Sequence, residues 1–209
     1  MKSPFIKWLV LSIVSILIAE ILKKATHFDD LFYNSLSEQL TSQQIESFLG
    51  FQKKWQWVGD LFIPVLMLIK TSIIATILYI GLFFSSKDLK FRNLWNIVLK
   101  AEFIFLLVPV FKIVWFYFFQ TNYSLDDVQN FYPLSALNIV GYENLETWFL
   151  YPFQTLNLFE LAYVIYLGYQ VGKLTNTKPD HGLKIVACSY VPALLLWVVT
   201  IMFFTLNYS

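Results

Sequence analysis

The sequence predicts an all-α, polytopic membrane protein: a bundle of five transmembrane helices with short interfacial helices in the first and third loops. Three observations carry this. Apolar residues make up 57% of the 209-residue chain and charged residues only 14%, too few charges to cover a water-facing surface. The mean hydropathy is +0.59. Five apolar runs reach the roughly 20 residues that a spanning helix requires.

The first run is about residues 4–22, PFIKWLVLSIVSILIAEIL. Lys2 and Lys7 precede or flank it as in a signal peptide, but Lys23-Lys24-Ala25-Thr26 offers no small-residue cleavage site, so it reads as a retained anchor. The second run, about 57–84, is interrupted by Gly59, Asp60, Pro64 and Lys70. The third, about 94–119, contains Lys100, Glu102, Pro109 and Lys112. The fourth is about 148–171 and holds Glu160, and the fifth is about 183–204 and holds Pro192. Residues 1–209 read as one membrane domain, with no soluble second domain.

The longest connection, 23–56, contains a stretch at about 33–52 with apolar residues at helical spacing. Ser35 with Glu38, and Thr41 with Gln44, fit the capping-box pattern. The expectation is one or two short helices on the membrane surface, or else a helix that docks a partner. The third loop, 120–147, has no Lys or Arg and carries Asp126, Asp127, Glu143 and Glu146. Ser124-Leu125-Asp126-Asp127 reads as a helix start, and Pro133 and Gly141 mark turns.

Short cytoplasmic loops collect Lys and Arg. Lys87, Lys90 and Arg92 lie between the second and third runs, and Lys173, Lys178 and Lys184 between the fourth and fifth. This alternation places the N-terminus in the cytoplasm and the C-terminus outside, in a cell (inner) membrane. Lys23, Lys24, Lys53 and Lys54 in the first loop dissent.

Five of the charged residues inside the runs stand out as a buried charge network: Asp60, Lys70, Glu102, Lys112 and Glu160. One unpaired charge at mid-bilayer costs about 2.5–3.5 kcal/mol or more. Pairing at matched depth offsets much of that cost. A rise of about 1.5 Å per residue puts Lys70 level with Glu160, and Lys112 level with Asp60. Glu102 then takes Lys100 or shares Lys70. The bland reading is that these pairs fix helix packing. The sharper one is a proton or ion pathway. Trp8, Trp55, Trp57, Trp95 and Trp148 fall at run ends as an interfacial belt, while Trp115 and Trp197 lie deeper as packing residues.

Chemistry for catalysis is sparse. The only histidines, His27 and His181, read as loop residues, and Cys188 is the sole cysteine. No HExxH, Gly-x-Ser-x-Gly or Walker pattern occurs. The residues predict no catalytic group, no metal and no cofactor, and a net charge of +1 predicts no nucleic-acid partner.

The second half carries a resemblance. Asn157-Leu158-Phe159-Glu160-Leu161 opens a span that reads as ending in a glycine-containing turn at Gly168 and Gly172, followed by a basic loop and a last helix. Asp60-Leu61-Phe62-Ile63-Pro64 is similar to an Asp-Leu-Tyr-Gly-Pro motif, with Ile63 in place of Gly. These stretches resemble the Yip-domain membrane family, whose eukaryotic members bind Rab-type GTPases and shape or sort membranes. The resemblance covers about half the chain. It implies a five-helix bundle acting without catalysis, as a scaffold or accessory subunit in a bacterial inner membrane. Its partners would be lipid and other membrane proteins or a second copy. The long polar N-terminal region that would engage a GTPase does not precede the first run. The competing expectation is a small transporter or proton-coupled channel subunit that uses the five buried charges.

Overall fold

A computed structural model describes residues 3–37, 40–84, 90–143 and 145–208. Lys2, Glu38 and Lys87 lie outside the described residues. Among the described residues the fold is helical, and the one β contact is an isolated antiparallel bridge, Ser135 to Asn157. Three helices are long and apolar enough to cross a membrane: Pro4–Ala25, Ser42–Phe83 and Pro179–Tyr208.

Helix α1 (Pro4–Ala25) starts as its sequence dictates. Ser3 accepts the Ile6 N–H and Pro4 occupies a first-turn position where no amide hydrogen is needed. After a turn at His27 (φ 46°), α2 (Phe28–Ser37) follows. Ser35 lies inside α2 and donates to the Phe32 carbonyl, so it does not cap a new helix. Thr41 does cap one: its N–H and hydroxyl both donate to the Gln44 side chain.

The helix that Thr41 opens departs from expectation. Helix α3 (Ser42–Phe84) runs unbroken for 43 residues. At 1.5 Å per residue that is about 64 Å, twice the roughly 30 Å hydrocarbon thickness. The interfacial segment expected at 33–52 is thus divided between α2 and the first turns of α3. Gly50 and Gly59 weaken but do not stop a helix, and no proline falls within α3 before Pro64.

The expected third run is segmented. Helix α4 (Phe91–Ala101) passes into a 3-10 turn (Glu102–Leu106) and then into α5 (Leu107–Phe118). Pro109 explains the change of pitch. It lacks the N–H that an α-helix would direct at the Phe105 carbonyl, and its ring crowds that carbonyl.

The third loop forms two short helices, α6 (Leu125–Asn130) and α7 (Ala136–Val140). Ser124 and Asp127 make the full reciprocal capping box. The fourth run is broken into α8 (Thr147–Thr155) and α9 (Leu158–Leu174). At the break the Ala136 N–H donates to Leu156 O (2.8 Å) and the Leu158 N–H to Leu134 O (3.1 Å). Asn157 caps α9 by accepting the Glu160 N–H at 2.7 Å. Helix α10 (Pro179–Tyr208) completes the chain and places His181 in its first turn, not in a loop.

The core lies where α3, α4, α9 and α10 meet, around Leu78, Leu82, Val98, Tyr163, Leu167, Val171 and Val186. Helix α4 is its most buried element, packed against α1, α3 and α9. Helices α9 and α10 form a hairpin of close backbone contact. Gly168 and Gly172 are not turn residues, as the resemblance implied, but lie on the buried face of α9, four apart, facing Gly182 of α10. A Cβ on Gly182 would overlap the backbone of Gly168 and stand 2.7 Å from Gly172 Cα; one on Gly168 would stand 2.8 Å from Leu183 Cα. This is small-residue packing, in which missing side chains let backbones touch.

The contrast with Gly59, whose Cβ would meet nothing within 4 Å, gives a direct test. Gly182→Ala should destabilise the fold by about 1–3 kcal/mol or more. Gly59→Ala should be neutral, or stabilising by up to about 1 kcal/mol. Thermal unfolding in detergent, followed by circular dichroism, checks both.

Candidate functional site

The polar centre of the bundle is Glu102. It is the first residue of the 3-10 turn, and its side chain is 4% exposed. Lys70 of α3 donates from Nζ to Oε2 at 2.8 Å, and Tyr163 of α9 donates from its hydroxyl to Oε1 at 3.0 Å. Both carboxylate oxygens thus have a donor, each from a different helix. Lys70 itself is half exposed, and its ammonium also sits 4.4 Å from the centroid of the Phe105 ring. That cation–π contact adds a second neutralising surface.

Tyr163 is fully buried. Its ring touches Phe105 (5.0 Å between centroids) and Tyr190 of α10 (5.5 Å). Tyr190 donates to Glu160 Oε1 at 2.7 Å. Two carboxylates therefore stand on either side of a tyrosine pair. Each phenol gives its hydrogen to its own carboxylate, and no hydrogen bond joins the two phenols.

The expected pairs are thus replaced. Lys70 meets Glu102, one of the two options the depths allowed for that carboxylate, and does not bridge Glu160. Glu160 lies in the first turn of α9 and not mid-helix, because Asn157 starts the helix there. At that position the positive end of the helix dipole favours a carboxylate. Lys112 does not reach Asp60. It donates at 2.9 Å to the Val128 carbonyl, in the last turn of α6, where helix carbonyls lack internal partners. Asp60 forms no ion pair among the described residues. Lys100 is exposed on α4.

Further polar contacts fasten α1. Lys7 donates to Asn96 of α4, Trp8 Nε1 donates to the Pro64 carbonyl (3.1 Å), and Gln56 donates to Glu20 (2.9 Å). Trp95 Nε1 donates to Thr71 (3.0 Å) and Trp197 Nε1 to the Tyr151 hydroxyl (2.9 Å). Every buried side-chain nitrogen and oxygen among the described residues has a partner. No three His, Cys, Asp or Glu side chains gather among them to hold a metal ion.

Tyr163, Tyr190 and Asn96 escaped sequence reasoning, and Asn157 entered it only through the resemblance, as the residue that opens a span. A tyrosine inside an apolar run is itself a signal, because once buried its O–H must find an acceptor. The spacing does not say which acceptor.

The third loop has its own electrostatics. Burial raises the Asp127 carboxyl, but donation from the Ser124 backbone, the Tyr142 hydroxyl, the Ser124 hydroxyl and Gln120 outweighs it and leaves the group below its ordinary value. Tyr142 is raised to about 12, by burial first and then by Asp127. Tyr132 is also raised to about 12, by burial and then by the Glu160 carboxylate and the Tyr151 phenol. The signs follow. A lowered Asp127 contributes stability above its unfolded value and loses it as pH falls through the folded one. A raised Tyr142 contributes below about 10 and loses it as pH rises through about 12.

Two outcomes are expected. Lys70→Met alone should cost about 2–3 kcal/mol, between the values for exposed and buried pairs, because it strands a buried carboxylate. Adding Glu102→Gln should recover at least half of that in denaturant unfolding. Tyr142→Phe should move the Asp127 titration, followed by NMR, upward toward the ordinary carboxylate range.

Compared with known protein families, characterised proteins and solved structures, the chain matches none.

Proposed function

We propose that this chain is a non-catalytic, multi-pass membrane scaffold or accessory subunit of the Yip-like kind. It would cross the membrane five times, through α1, α3, the α4–α5 run, the α8–α9 run and α10. The observation that carries the reading is the saturation of Glu102 by Lys70 and Tyr163. The intramembrane charge is answered by two neighbouring helices, as expected of a group that holds a bundle together. Tyr163 and Tyr190 each end on a separate carboxylate, so the polar groups do not form one continuous hydrogen-bonded line.

The part of α3 before residue 57 supports a role in binding other membrane proteins. It continues the helix well past one bilayer thickness and exposes Phe48, Phe51 and Trp55.

Charge distribution supports the N-terminus in the cytoplasm and the C-terminus outside. Glu20 beside Gln56 and Trp8 beside Pro64 together set α1 antiparallel to α3, and α2 packs on α6. The dissenting lysines of the first loop thus share one end of the bundle with Asp126, Asp127, Glu143 and Glu146. Among the described residues, Lys90, Arg92, Lys173, Lys178 and Lys184 gather at the opposite end. The inner membrane of a bacterium, with lipid and other membrane proteins or a second copy as partners, completes this reading.

A transport role is the second reading, and one observation favours it. The backbone opens at Leu156–Asn157, directly before Glu160, and broken helices beside an ionisable group are how many transporters build substrate sites.

Two measurements separate the possibilities. In reconstituted vesicles the scaffold reading expects the same proton leak for the wild type and Glu160→Gln. A leak or flux that this substitution abolishes in folded protein establishes transport instead. In a Cys188→Ser background, Asn176→Cys should react with an impermeant thiol reagent from the cytoplasmic side and the exposed third-loop position Asn122→Cys from the outside. The reverse pattern inverts the topology.

A further inference from the structure

The bundle has a cationic end built from three separated stretches of sequence. The Gly182 contact with Gly168 and Gly172 sets the start of α10 against the end of α9. Gly81 of α3 lies against Ser189 of α10, so the end of α3, and with it the start of α4, comes to the same side. Exposed there are Lys90 and Arg92 at the start of α4, Lys173 at the end of α9, and Lys178 and Lys184 at the start of α10. Among the described residues of these termini, Asp180 is the one acid. None of the five cations makes an ion pair among the described residues. The apolar faces of α3 and α10 continue directly away from this rim, with Ile73, Ile80, Leu195 and Leu196 exposed along them.

We propose that this rim binds the headgroups of anionic phospholipids. The occupant follows from two features present together. Unneutralised ammonium and guanidinium groups need an anion, and the adjoining exposed hydrocarbon surface needs acyl chains. An anionic lipid supplies both in one molecule. A free phosphate supplies only the first, and a zwitterionic lipid brings its own cation. Each lysine near an anionic surface contributes about fivefold in affinity. The other end does not offer the same site, because Lys23 already pairs with Glu20 at 3.7 Å and the acids of the third loop adjoin it.

The experiment uses the whole chain in detergent with a phosphatidylglycerol and phosphatidylcholine mixture, reading retained lipid by native mass spectrometry. The wild type should retain the anionic lipid preferentially, with a preference that falls as salt is raised. Lys173→Gln/Lys178→Gln/Lys184→Gln should lose at least tenfold of the preference. The matching triple Lys→Arg variant, which preserves charge, should keep it, and Lys53→Gln/Lys54→Gln at the far end should leave it unchanged. Equal retention of both lipids by the wild type overturns the proposal. So does a loss in the far-end variant as large as in the triple Gln variant, or displacement of the lipid by soluble glycerol phosphate.

Discussion

A carboxylate held in an apolar helix bundle has to be answered by donors from the chain itself, and Glu102 sets that demand for the whole structure. Its two oxygens take Lys70 from α3 and Tyr163 from α9. The contacts fix the relative rotation and height of three elements at once. They are also directional, which the surrounding Leu, Ile and Val packing is not. In lipid, where apolar side chains gain little from meeting one another, a few directional contacts and close backbone approach have to specify which helices are neighbours.

Both devices occur side by side. The α9–α10 hairpin is set by glycines, whose missing side chains let backbone meet backbone. One turn and more along the same helices, Tyr163 and Tyr190 reach the two carboxylates. Small residues therefore hold the hairpin near its turn, and polar residues hold it near the middle of the bundle. Helix α4 shows the same economy. Its buried face packs on three neighbours, and the 3-10 turn ahead of Pro109 brings Glu102 in from its end.

Lys112 and Glu160 show how loops enter the bundle's electrostatics. Lys112 caps α6, a helix of the third loop, and so ties that loop to α5. Glu160 stands at the start of α9 because the backbone at Leu156–Asn157 leaves the helix to pair with Leu134 and Ala136. The third loop is thereby stitched to the bundle at two points, and its own capping box and Tyr142 bond keep it folded between them.

The sequence by itself determined that the fold is helical and apolar enough for a membrane, since composition and run length depend on no partner. It also determined local starts: Pro4, Thr41 with Gln44, and Ser124 with Asp127, where a cap and the helix it opens lie within a few residues. It showed that Lys70, Glu102, Lys112 and Glu160 had to be answered, because a charge in an apolar run is visible without coordinates; Asp60, visible in the same way, forms no ion pair among the described residues. Tertiary structure alone decided who satisfies them. Depth counting assumes straight, unbroken helices, and Pro109 and Asn157 each alter the count. The length of α3 was likewise invisible, for nothing local marks a helix that continues past the bilayer. The glycine contacts were half legible. The four-residue spacing of Gly168 and Gly172 is in the chain, but that Gly182 closes on them is a fact of packing.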